Sequence, residues 1–267
     1  MHKGGDGLFG PGDYLLFYAQ GPVAWQYSTD EGMFIHRLHD YALKGYYFLT
    51  DDHGTPVAPD EQTLSTETPT HTVTAYDYRA QFEEETYNLI NSGREWYGDN
   101  FNLNLEENYP FALPVRESGE DVRVRITVAA RSNEVSSFLV KANGSSLGSI
   151  DLNATDLSTY TAIHAYEQSR VFNHQTGQDN LTITLTYDRP NTNSDGWLNS
   201  ITVNARGTLT LEGDELLFRD SRSAGTGNLG AFRVENCGAG TLIWEISDPS
   251  RPLNIPVSYT HLRAHET

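Results

Sequence analysis

Cysteine is used once in 267 residues, at Cys237, so no disulfide can form within the chain. A chain of this size has enough interior to do without one. Basic residues are scarce: 18 Lys and Arg stand against 36 Asp and Glu, a net charge of −18. That field repels phosphate, which excludes nucleic acid and an anionic membrane surface as expected partners. The acidic residues are scattered, with Glu83-Glu84-Glu85 the longest run, so they describe a solvated surface and not an acidic tail. No stretch approaches the roughly 20 apolar residues of a membrane span, and no transmembrane segment is expected. The opening MHKGGDGLFG lacks the apolar core of a signal peptide. Helix signals are almost missing. The single candidate, Phe82 to Ile90, has no convincing cap and reads equally well as strand. No fixed-period repeat is present, which weakens an adhesin or repeat-array reading.

What the chain does have is aromatic and β-branched residues, punctuated by Gly, Asn and Asp about every ten positions. This predicts an all-β fold built from antiparallel strands. The short apolar run Tyr14–Tyr18 reads as a buried strand and Gly45–Thr50 as the next strand, followed by a polar, proline-bearing loop from Gly54 to Thr70. Beyond it the alternation is cleaner. Val122–Val128 and Leu181–Tyr187 place apolar residues on one face, and Trp197–Val203 alternates again. Ser137–Lys141 leads through the tight-turn pair Asn143-Gly144 to Leu147–Ile150. Shorter strands are expected at Leu216–Phe218, Ala231–Val234 and Leu242–Ile246, the last with an open edge. The expected division is an N-terminal β segment over residues 1–72, a jelly-roll-like β-sandwich over 73–207, and a β segment over 208–256.

Chemistry-bearing constellations are few. His36 and His39, with Asp40 beside them, have helical metal-ligand spacing but lack a third and fourth ligand. Cys237 has no base nearby in sequence; His164 and His174 can approach it only through the fold. Asp6 and Asp13 lie in a glycine-rich stretch without the carboxylate spacing of a calcium loop, and a tight turn explains the glycines. P-loop, dinucleotide and nucleophile-elbow motifs are lacking. The expectation is no catalytic residue, no metal and no cofactor. The remaining functional thread is aromatic: Trp96, Tyr97 and Trp197 are the candidate platform for stacking on sugar, with Tyr109 and Tyr187 also considered. Asn143, Asn153 and Asn180 lie in glycosylation sequons and mark surface turns.

Five stretches, in order, carry a resemblance: DGLFGPGDYLLFYAQGP, YYFLT, SGREWYGDNF, GWLNSITVNARGTL and IWEISDPSRP. Together they resemble the region ahead of the peptidase domain in the type IX secretion system sortases, members of the gingipain-type cysteine peptidases. The resemblance spans nearly all of Asp6 to Pro256. It implies an exported, outer-membrane-associated peptidase that removes C-terminal sorting domains from cargo and joins that cargo to surface lipopolysaccharide. It also implies partners: the peptidase domain belonging to the same chain, other secretion components, and secreted cargo. The family's catalytic His and Cys lie C-terminal to this region, so no catalytic residue is carried over. Where the pattern calls for a second arginine in VNARGTL, Gly207 stands instead. The final VSYTHLRAHET is what one frame of a common sequencing adapter encodes; Val257–Thr267 is therefore expected to be adapter-derived, and His261 and His265 to have no role. The front end is expected to be incomplete as well. A secreted carbohydrate-binding sandwich is the alternative reading.

Overall fold

The computed structural model describes residues 10–48, 50, 58–91, 93–159 and 161–257, together with the backbone of His2 and Lys3. Asp6, the expected adapter histidines and part of the 54–70 loop lie outside the described residues. Strands in the first part are β1 (His2–Lys3), β2 (Tyr14–Leu15), β3 (Val23–Ser28), β4 (Met33–Leu38), β5 (Asp60–Glu61) and β6 (His71–Val73). The long strands follow: β7 (Ala75–Glu83), β8 (Glu106–Ala112), β9 (Val122–Arg131), β10 (Ser136–Ala142) and β11 (Ser145–Leu152). They continue as β12 (Tyr166–His174), β13 (Asn180–Asp188) and β14 (Asp195–Thr208). Three short strands close the series: β15 (Gly230–Phe232), β16 (Ile243–Glu245) and β17 (Leu253–Ile255). No helix occurs among the described residues, so the Phe82–Ile90 candidate resolves into the end of β7 and a loop.

The chain divides into two compact units: residues 25–40 with 77–208, and residues 1–24, 41–76 and 209–267. The first is the sandwich. Its two four-stranded sheets have the orders β11-β10-β13-β8 and β12-β9-β14-β7. Successive strands switch sheets except at the β10–β11 hairpin, which is jelly-roll topology. The turn of that hairpin is Asn143-Gly144, with φ of 47° and 81°, the left-handed pair that a tight hairpin requires. Between the sheets lies one apolar cluster that includes Val124, Ile126, Phe138, Leu185, Tyr187 and Ile201. Packing there is close enough that a Cβ on Gly196 would come within 2.7 Å of Phe138. Only glycine fits at that point of β14.

The sandwich unit takes in more sequence than its strands alone. The β3–β4 hairpin, expected to belong to a separate N-terminal segment, groups with it from Trp25 to Asp40. Asn204 on β14 explains why: its side-chain amide donates to the Phe34 carbonyl at 2.8 Å and accepts from the Phe34 N–H at 2.7 Å. A side chain thus satisfies the backbone as a neighbouring strand would.

The second unit is built from short pairings. β15 runs parallel to β6, β17 runs parallel to β5 and antiparallel to β16, and β16 forms the sheet edge. Ile243 and Ile255 make a small buried cluster, with Leu64, Phe218, Val234, Cys237 and Val257 packed against it. The Tyr14–Tyr18 run, expected to be buried, is strand only at Tyr14–Leu15, with both side chains exposed, and the expected strand at Gly45–Thr50 does not form among its described residues. Its aromatic residues are exposed, and a run that buries nothing has no partner strand to pair with. Leu216–Phe218 is likewise without strand structure.

Candidate functional site

β14 is buried continuously from Gly196 to Ala205, although a two-faced strand should alternate. Its inner face fills the sandwich core, and its outer face is covered in two places. The β3–β4 hairpin covers the stretch from Thr202 onward, through His36 and Phe34. The segment from Gly93 to Phe101, here called the strap, covers the stretch from Gly196 to Asn199. Gly98 N–H donates to the Leu198 carbonyl at 2.8 Å, Leu198 N–H to Asp99 at 3.0 Å, and Phe101 N–H to Gly196 at 2.8 Å. The strap therefore pairs antiparallel, as a sheet neighbour would, with the edge of β14 that faces away from β9, beside the point where the β14–β9 register shifts by one residue between Leu198 and Ser200. That bulge turns the Asn199 side chain outward.

The strap's side chains then lock in sequence. Arg94 Nη1 donates to Asp40 at 3.2 Å. Asn199 Nδ2 donates to both Glu95, at 2.5 Å, and Glu167, at 2.8 Å. Tyr97 O–H donates to Glu167 at 3.1 Å, while its ring packs with Trp197 and Ala129. Asp99 accepts from the Tyr109 O–H at 2.8 Å, and Phe101 enters the sandwich core. Two of the sequence stretches singled out above, SGREWYGDNF and GWLNS, are thus the two halves of one lock.

Of the three platform aromatics, Tyr97 and Trp197 are brought together, but in a buried cluster, with 9% and 7% of their surface exposed. Trp96 alone shows a face to solvent, at 39%. The three do not form an open stacking surface. Tyr109 and Tyr187 are buried in the sandwich.

The electrostatics of the strap are acidic. Glu83 at the end of β7, Glu85 just beyond it, Glu95 on the strap, Glu167 on β12 and Asp40 in the turn after β4 converge there. Burial, then the Glu83 charge and a hydrogen bond to the Glu83 carboxyl, push Glu85 up to about 7. Glu95 is also raised, mainly by burial, with the Asn199 hydrogen bond opposing. Burial and the Glu167 charge raise the Tyr97 phenol, which stays protonated as a donor. Both ring nitrogens of His36 have protein partners: Nε2–H donates to Glu83 at 2.7 Å and Nδ1 meets the Thr202 hydroxyl at 2.7 Å. No group of three or more His, Cys, Asp or Glu suited to a metal ion occurs among the described residues.

The other sequence candidates have local roles. Asp13 accepts from Gly10 N–H at 2.7 Å, closing a turn. Cys237 is half-buried against the Ile243–Ile255 cluster. His164 lies beside Arg131, and burial together with that charge lowers its pKa. Asn143 spends its amide on Gln178 and the Asn180 carbonyl. Gly207, where a second arginine was expected, forms a backbone bridge with Arg116, and Arg206 beside it pairs with Asp77 at 2.7 Å. Sequence reasoning missed Glu85, Glu167 and Asn199. The run Glu83–Glu85 was visible, but nothing in the sequence placed Glu95 and Glu167 beside it.

No family model matches the sequence, and no curated protein matches it. Among solved structures, the fold matches that of dimeric latent PorU from Porphyromonas gingivalis with a TM-score of 0.78 at 21% identity. That match covers 91% of this chain and 23% of PorU, so the chain spans about a quarter of its neighbour's length. Two carbohydrate-related structures match far more weakly. One is a domain of a multidomain xylanase from a Trinervitermes trinervoides hindgut metagenome, with TM-score 0.31, 15% identity, and coverage of 52% of this chain and 99% of that one. The other is a family 35 carbohydrate-binding module from Clostridium thermocellum, with TM-score 0.30, 18% identity, and coverage of 48% and 90%. Likeness at that level carries no argument about function.

Proposed function

We propose that this chain is the non-catalytic β region that precedes the peptidase domain in a PorU-like sortase of the type IX secretion system. The observation that carries the reading is the fold shared with PorU over most of the chain. Five sequence stretches in the family's order support it, two of which dock onto each other as strap and strand. On this reading the mature protein is exported to the cell surface. Its peptidase would attack the carbonyl at a cargo sorting-domain junction with a thiolate, with a paired His as acid and base. The resulting acyl-enzyme would pass to water or to an amine on lipopolysaccharide.

The present residues contribute support and no reacting group. Their polar clusters are spent on holding the strap and the β3–β4 hairpin, and the platform aromatics are largely covered. Reading the uninterrupted gene past Pro256 tests the proposal. A gingipain-type domain carrying His and Cys is expected there, and a stop codon or an unrelated domain rejects it.

A further inference from the structure

Two of the five stretches that carry the sortase resemblance, SGREWYGDNF and GWLNSITVNARGTL, are accounted for by the strap and β14. Two others, DGLFGPGDYLLFYAQGP and YYFLT, belong to the other unit and meet there through their described residues. The Phe17 and Tyr47 rings touch, with centroids 5.9 Å apart, and the Tyr47 hydroxyl donates to the Gln20 carbonyl at 2.8 Å. Gly45 lies so close to the same carbonyl that a Cβ would come within 3.1 Å of it. A ring contact, a hydrogen bond and a close backbone approach thus fix the two segments against each other.

The apolar groups they present nevertheless stay in water. Phe17 and Tyr47 are about half exposed, and Leu43, Tyr46 and Phe48 are exposed over more than two-thirds of their surface. Single apolar residues scattered over a surface need no explanation, but five drawn from two touching segments do. The surroundings are also poor in charge. Residues 14–24 hold no charged side chain and residues 41–48 only Lys44, in a chain that is 20% charged. Tyrosine and phenylalanine without charge is the composition of an interface core.

Composition, length and charge point to one occupant. The segments lie in stretches that resemble the sortase family, so the partner should be a part which that family shares. On the reading proposed above, about three quarters of the polypeptide lies outside this chain, since the match covers 23% of PorU. A domain tethered in this way docks at high effective concentration. A second copy would bring a second net charge of −18, and the same field repels an anionic lipid surface.

We propose that the patch of Phe17, Leu43, Tyr46, Tyr47 and Phe48 is the seat of the peptidase domain of the same chain, an inference that rests on the sortase reading. Tyr46 and Phe48 are its anchors, because the most exposed rings have the most surface to bury. Tyr47 is the support beneath them, with its hydroxyl already engaged by Gln20.

Brief hydroxyl-radical oxidation read by mass spectrometry tests this on two polypeptides, the present one and its extension past Pro256. Phe17, Tyr46, Tyr47 and Phe48 should be oxidised about tenfold more slowly in the extended chain, as rings that enter the dry core of an interface. Tyr27 and Tyr87, exposed on the sandwich unit, should keep their rates, and the buried Tyr187 should react slowly in both chains, which reports that both are folded. Combining Tyr46→Ser with Phe48→Ser in the extended chain should return Tyr47 to its rate in the present one. Equal oxidation of the patch in both chains, with a gingipain-type domain present, overturns the docking and leaves the sortase reading standing. The docking is equally overturned if Tyr47 stays slow in the double variant, or if Tyr27 and Tyr87 slow as much as the patch. Patch protection in the present chain that disappears on dilution would assign the surface to a second copy, and protection that needs phosphatidylethanolamine vesicles would assign it to lipid. A stop codon or an unrelated domain after Pro256 removes the reading and the docking together.

Discussion

The two units of this chain reach order by different means. Among the largest fully buried side chains of the described residues, only Phe232 belongs to the unit of residues 1–24, 41–76 and 209–267. The others, from Met33 to Ile201, lie in the sandwich unit. The most exposed aromatics are distributed the opposite way, with Tyr46 at 81% and Phe48 at 98% exposure outside the sandwich unit. The sandwich carries its own interior. The other unit depends on strand pairs of two or three residues that join distant parts of the sequence, such as β15 with β6. Apolar content by itself therefore does not mark the core; what decides is whether a run has a sheet face to lie against.

The largest effect should come from the sandwich interior. Phe138→Ala removes a ring in contact with Phe101 and Tyr187 and should cost about 3–5 kcal/mol in denaturant unfolding. Asn204→Ala leaves the Phe34 N–H and carbonyl buried without partners, for about 2–3 kcal/mol, and should release the β3–β4 hairpin to hydrogen exchange. Ile243→Ala, in the smaller cluster, should cost about 1–2 kcal/mol, less than burial alone suggests, because a thin core collapses more readily onto the gap. Equal costs for Phe138 and Ile243 would erase the contrast between the units. Phe48→Ser should fall within about 0.5 kcal/mol of zero. A large loss there would mean that the exposed aromatics carry packing after all.

The sequence revealed those strands whose two faces differ. Val122–Val128, Leu181–Tyr187 and the Asn143-Gly144 hairpin were legible because their inner residues are apolar and their outer ones polar. β8 and β12 were not. They are edge strands, rich in polar residues, and β8 tolerates Pro110 because an edge strand can spare an N–H. β14 was legible as a strand, but its double burial was not, since the cover arrives from residues 34–36 and 93–101. The apolar run Gly45–Thr50 misled for the converse reason, offering strand-forming residues with no sheet to receive them. The strap's site was half legible: its aromatic residues and glycines stood out, whereas the pairing of Glu95 with Asn199 and Glu167 depends on a bulge that no local pattern announces.

The most direct test of the support role compares two polypeptides from the same gene, this one and its extension past Pro256, on a peptide carrying a cargo sorting-domain junction. The account predicts cleavage by the extended chain, dependent on a cysteine downstream of Pro256, and no turnover by the present one. Cleavage by this polypeptide alone, abolished by Cys237→Ala, would contradict it.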